Sequence, residues 1–464
     1  MSLNTFKFVE IRLKPSEAGD SAGRARLDAN VLMTQLKRKS LRADLQLVSK
    51  SNGFTGPGLT VSFRNRSALR GGEQLLLNAV ASTETQTGSG TGNALGLTSY
   101  ELGANAQLLV PHLVVPNLPF LNPRLPNSDF QPRTTLGIGF RTVTRAGYFN
   151  QNFFNLNYGY TFKTRITNEQ EIRPIDITYV QFTPTQTFTD ILNSPAKSFL
   201  RSAFQQQFIL ASSYRYTYNE QVLEQRRQQL YFSGGVEVSG NVAQALASSI
   251  GTAKGPTGGY TILGQEYSQY TKFDVELREY FRLSPDPAKG NRLVGRLQAG
   301  VGLPYGNSRV LPYPKQYGIG GPNSVRAFAA RGIGPGIYNP TSEQLNNRFY
   351  DQVGDIRLEG NLEYRQDLVP YVKGALFVDA GNIWLVNPDD AGRPGGEFKA
   401  NRFLNQLAVG AGAGLRIDVQ FFVIRFDFAY PLRAPYGTPT KPNADGTTST
   451  DQAFRLNLAI GYPF

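Results

Sequence analysis

Arg326 lies in GIGGPNSVRAFAARGIGPG, residues 318–336, a glycine-rich stretch that reads as neither strand nor helix and holds the arginine among Val325, Ala327 and Phe328. Two acids occur within about 60 residues, Glu363 in GNLEYRQ and Asp379 in ALFVDAGNIW. Guanidinium and carboxylate suit each other through forked, charge-assisted hydrogen bonds. Such a set can fasten a loop; it supplies no nucleophile. Both acids sit in alternating segments. Ala375, Phe377, Asp379 and Gly381 share one face of a strand, and Leu376, Val378 and Ala380 share the other. Glu363 falls on the same face as Glu359 and Asn361, so the two acids make a receptor for one cation, with glycines such as Gly320 and Gly321 letting the loop reverse tightly. The alternative is ordinary interior charges facing water.

Other motifs carry less. GDSAG at 19–23 spells a nucleophile elbow around Ser21, but an alternating segment follows where a helix is required, so it reads as a hairpin turn. GAGAGLRIDV at 410–419 has the glycine density of a dinucleotide loop, yet a strand follows it; these glycines suit a crowded wall approached closely from inside. The chain has no cysteine and a single histidine, His112, which removes disulfides, thiolate chemistry and histidine metal pairs. No metal, no cofactor and no enzymatic activity are expected. The net charge of +13 is spread along the chain, and neither a basic cluster nor an aromatic RNA-binding motif is present, so no nucleic acid is expected. The basic bias leaves anionic lipid or lipopolysaccharide as a neighbour.

The elements that must carry these residues are strands. Charged residues are 18% of the chain, below the roughly 25% of an average soluble domain, while 48 Gly, 30 Phe and 23 Tyr are abundant. No run of about 18 apolar residues exists, which excludes a membrane helix but not a membrane β-barrel. From residue 40 the period is two, and sixteen strands are expected near 41–50, 58–66, 73–83, 99–110, 133–145, 153–166, 171–183, 202–218, 227–240, 268–283, 291–303, 355–366, 373–384, 407–417, 421–430 and 453–464. Connections after odd strands are often long, those after even strands mostly short. Sorting by parity is a property of outer-membrane barrels; the proline-rich connection 111–132 breaks it. Residues 1–39 hold two strands, too few for a core. They read as the end of a small domain whose beginning is missing. MSLNTFKFVEIRLK lacks a signal peptide's apolar region, so an exported protein would be a trimmed fragment here.

GG-x-x-x-VRAF, the glutamate of LEYRQ, FVDAGNIW (Phe377, Gly381, Trp384) and the terminal FRLNLAIGYPF resemble the barrel of the BamA/TamA superfamily of outer-membrane assembly factors, over roughly residues 40–464. With FFVIRFDFAYPLR the character is most similar to TamA-like members, especially the TamL lipoprotein branch. Residues 1–39 resemble the end of that family's last periplasmic POTRA domain. The resemblance implies an arginine tied to acids on strands twelve and thirteen, here Arg326, Glu363 and Asp379, with Ala327 where the family has glycine. It also implies a machine that inserts or exports unfolded client proteins, with a possible periplasmic partner subunit. The expected route is a seam closed by pairing 41–50 (Leu45) with 453–464 (Leu458). Phe454, Leu456, Leu458, Ile460, Tyr462 and Phe464 would form one lipid-facing stripe, and Pro463, lacking an amide hydrogen, would weaken the ladder. A two-partner-type secretion pore and a passive porin or structural barrel are the alternative readings.

Overall fold

The computed structural model describes residues 6–15, 27–49, 54–69, 71–86, 98–115, 130–193, 204, 206–250, 254–255, 258–262, 264–285, 290–339, 352–387, 393–419, 423–436, 440–442, 448–450 and 454–464. Ser21 and most of the 111–132 connection lie outside the described residues. The sequence offers alternation almost everywhere, and the backbone pairs accordingly. β1 (Phe6–Pro15) and β2 (Leu27–Gln35) form a two-stranded sheet of their own. Sixteen strands then pair antiparallel, each with its neighbour in sequence: β3 (Lys39–Ser49), β4 (Phe54–Asn65), β5 (Gln74–Gln86), β6 (Thr98–Val110), β7 (Arg133–Arg145), β8 (Phe149–Arg165), β9 (Asn168–Pro184), β10 (Gln207–Asn219), β11 (Gln228–Ser239), β14 (Tyr270–Arg282), β15 (Arg292–Pro304), β16 (Ile356–Val369), β17 (Val372–Trp384), β18 (Ala408–Asp418), β19 (Val423–Arg433) and β22 (Arg455–Ile460). β12 (Thr261–Ile262) with β13 (Gln265–Glu266), and β20 (Thr440–Pro442) with β21 (Thr448–Thr450), are short hairpins in long connections; α1 (Gln186–Asn193) and α2 (Asn241–Ile250) also lie there.

Period two gives the sheet unlike faces. Leu362, Leu376 and Val378 are exposed on one, while Asn361, Glu363, Phe377 and Asp379 are buried on the other. The buried face is covered by the connection between β15 and β16. Its Leu311 packs with Ile209, Ala211 and Tyr270, and its Ile319, Val325, Phe328 and Ile333 pack with Phe377 and Ala429.

Two expectations about the ends fail. The strand order runs from β22 to β3, and among the described residues no pairing joins these two, so the sheet is not closed. β22 is only six residues long and engages β19 alone, from Ile424↔Ile460 to Ala429↔Arg455. The reason lies in Gly461, whose φ of +84° is a left-handed conformation that ends the strand. Past it the chain turns to the interior. Phe454, Leu456 and Leu458 are exposed as the lipid-facing stripe requires, but Phe464 is buried with Tyr280 and Val294, and Tyr462 lies under Arg365 at 4.6 Å. Pro463 lies beyond the ladder, so its missing amide costs no strand pairing.

Candidate functional site

Gly320, at φ +110°, shapes the start of the loop tip: a side chain there would meet the Ala329 carbonyl at 1.9 Å. The turn closes through Gly321 N–H to the Phe328 carbonyl at 2.9 Å and Phe328 N–H to that of Val325 at 3.1 Å. Arg326 thereby points into the sheet. It is 0% exposed. Its Nε and Nη2 donate to Asp379 at 2.8 and 2.9 Å, its Nη1 to Glu363 at 2.5 Å, and its backbone N–H to Asp379 at 3.1 Å. The guanidinium carbon lies 3.4 Å from the centroid of the Phe377 ring, a cation–π contact.

Adjacent strands set the acids by register. Asn361 faces Asp379 across β16 and β17, and Glu363 faces Phe377. Asn361 donates to Asp379 at 2.9 Å and to the Ser324 carbonyl at 3.1 Å, joining wall to loop. Gly381 lies beneath Ile319. Trp384 is buried near the loop end, where its Nε1 donates to Gln406 at 2.6 Å and its ring meets Phe398 edge-on. Gly410 and Gly412 on β18 leave the room the interior needs: a Cβ at 410 would lie 2.4 Å from that of Ala327, and one at 412 would strike the Phe377 ring at 2.5 Å. Leu45 and Leu458 are both exposed, on strands that do not pair with each other.

The cluster is larger than the sequence reading proposed. Asp427 on β19 lies 3.8 Å from Arg326, 2.9 Å from Arg416 and 2.9 Å from Arg425. Glu363 also holds Arg365 at 2.8 Å and Arg416 at 3.3 Å. Four guanidiniums thus share three carboxylates, and the Asp427 oxygens meet theirs as ion pairs without a hydrogen bond. Arg425 donates to the Pro322 carbonyl and Asn323 of the loop at 2.7 and 2.8 Å. Arg296 donates to Glu359 at 2.5 Å and to the Asn323 carbonyl at 2.9 Å, and Ser324 to Glu359 at 2.8 Å. Alternation along β18 and β19 was the signal available for Arg416, Arg425 and Asp427; no short motif marks them. Asn457, the inward residue of β22, donates to the Arg326 carbonyl at 2.9 Å. A second fastening lies farther round the sheet, where Lys315 meets Glu237 at 2.7 Å and Tyr317 donates to Asp274 at 2.7 Å.

A sixteen-stranded antiparallel sheet, apolar outside and charged within around an inserted loop, defines a β-barrel protein of the bacterial outer membrane. Residues 117–464 match the Omp85 superfamily domain, and the chain belongs to that superfamily, whose members are assembly or transport barrels. It is 23% identical over 153 residues to outer membrane protein assembly factor BamA of Neisseria meningitidis serogroup B (strain ATCC BAA-335 / MC58), a match over 29% of this chain and 19% of that relative. The matched stretch is therefore about a fifth of the relative's length. Among solved structures it is similar in fold to BamA from Haemophilus ducreyi lacking POTRA domains 1-3, with a TM-score of 0.58, 13% identity and coverage of 99% of this chain and 76% of that one. CdiB from Acinetobacter baumannii gives a TM-score of 0.50 at 12% identity, covering 99% and 66%.

Proposed function

We propose that this barrel inserts or exports client β-barrel or surface proteins through the gap between β22 and β3. The observation that carries the reading is the unpaired pair of sheet ends. A β-strand edge presents a row of N–H and C=O groups that an incoming strand satisfies by β-augmentation. β22, held by one short ladder, is the strand that such a client displaces or extends. Clients are unfolded outer-membrane proteins, and lipid with lipopolysaccharide surrounds the apolar outer face. The anchored loop at Arg326 holds the wall beside the gap, β16 to β19, in one shape while the edges work. β1 and β2 read as the end of a POTRA-like domain, supported by their separate sheet and by Ile11, Leu13, Val31 and Met33, exposed on one face that calls for a covering layer or a periplasmic partner.

The test uses the absence of native cysteine. Cysteines replacing Leu45 and Leu458, cross-linked by a short bismaleimide and verified by mass spectrometry, are expected to stop client assembly in reconstituted vesicles, while either single variant keeps it. Full activity of the verified cross-linked form refutes a moving seam. A secretion pore would instead show a dedicated exported client and conductance, and a porin would conduct with Arg326 replaced.

A further inference from the structure

At the end of the interior bearing the short connections lies a cavity of about 720 Å³ that the loop anchor leaves unused. Strand register places three of its arginines in one row. Arg282 on β14 is directly opposite Arg292 on β15, and Arg292 is directly opposite Arg365 on β16. Directly opposed residues share a face, and like charges so placed repel. Only one of the three is neutralised, Arg365 by Glu363 at 2.8 Å. Arg282, 8% exposed, donates to the main-chain carbonyls of Glu224 and Arg226 at 2.7 and 3.4 Å, and its Nε is buried without an acceptor. The side chain of Arg292, paired through its backbone with both neighbours, has no hydrogen-bond or ion-pair partner among the described residues. Of the cavity's three carboxylates, Asp418 is held by Lys373 at 2.9 Å, that of the terminal residue Phe464 accepts from Arg365 at 3.3 Å, and Glu224 is exposed.

We propose that this row docks the carboxylates of an acidic, extended polypeptide segment entering from the aqueous mouth. The chemistry asks for planar oxyanions, since each guanidinium offers a fork that fits carboxylate or phosphate. Geometry favours a chain over a lipid. The row is on the inward face, whereas Leu293, next to Arg292, is exposed on the outward face where acyl chains lie. Strands are about 4.8 Å apart and alternate side chains of an extended peptide about 6.6 Å apart, so acids at alternate positions reach successive arginines along a slanted path. Tyr462 and Phe464 give such a chain an aromatic floor. The inference rests on the row and holds whichever way the seam works.

The chain in detergent is titrated with a fluorescent Glu-Ser-Glu-Ser-Glu-Ser peptide, its Gln-Ser counterpart and inorganic phosphate, reading anisotropy for the peptides and competition for phosphate. The Glu peptide is expected to bind, to weaken as salt rises from about 50 to 300 mM, and to lose about tenfold in affinity in Arg292→Gln. Arg292 is half-buried and fastens nothing, so that variant folds. Arg282→Lys, which keeps the charge and loses the fork, falls between, and Arg42→Gln on β3 changes nothing. Equal binding of the Glu and Gln peptides, an affinity untouched by Arg292→Gln, or phosphate binding without peptide binding overturns the proposal.

Discussion

Arg326 exchanges its hydration shell for two carboxylates and an aromatic ring, and the arrangement is lopsided in what its loss costs. Removing the arginine leaves Glu363 and Asp379 buried with weaker compensation from Arg365, Arg416 and Asn361. One-sided loss of a buried pair costs about 3–5 kcal/mol. Arg326→Ala is therefore expected to lower the unfolding midpoint in detergent, and Arg326→Glu to abolish client assembly while the sheet still forms, read by heat-dependent gel migration and an assembly assay. Normal assembly by Arg326→Glu disconnects the anchor from function. At this scale the sequence exposed Asp379 as a lone charge beside Ala375, Phe377 and Gly381, and Glu363 as one of a polar row with Glu359 and Asn361. Arg416, Arg425 and Asp427 obey the same alternation but flank one another with opposite signs, so they pass for a self-satisfied surface. Their link to Glu363 and Asn323 depends on curvature, which no local pattern encodes.

Strands were legible almost residue by residue, because a half-buried strand must alternate and its turns must break the alternation. The last strand misled for a physical reason. Period two continues through Tyr462 and Phe464 in letters, but the backbone changes direction at Gly461, and a residue's parity means nothing past such a point. A β-branched residue at φ +84° is strained by about 1–2 kcal/mol. Gly461→Val is expected to straighten the end and withdraw Phe464 from beneath Arg296 and Arg365, whose guanidiniums lie 4.8 and 5.4 Å from its ring. With Pro463→Cys as reporter and Phe464 kept, maleimide labelling should accelerate roughly tenfold in the Gly461→Val background. Unchanged labelling means that the inward turn is held by packing alone.

For the whole molecule, the sign of each face decides where it is stable. Val378 is at the centre of β17 on the apolar outer face, two positions from nothing but other outward residues, while its neighbours Phe377 and Asp379 are interior. An arginine at the midplane of a lipid-facing surface costs about 2–4 kcal/mol. Val378→Arg is expected to reduce refolding into phospholipid vesicles by that measure, with little effect in small detergent micelles; equal yields in both would place this face away from lipid. The fold class follows from the alternation, whereas the open ends go with a last strand that Gly461 cuts short: six residues in β22 against eleven in β3. Asn457 adds a consequence. Its amide holds the carbonyl of the deepest residue in the loop, so the strand with the fewest neighbours is leashed to the most firmly fixed point of the molecule. Were the seam to open as proposed, that hydrogen bond would have to break before β22 could leave the loop.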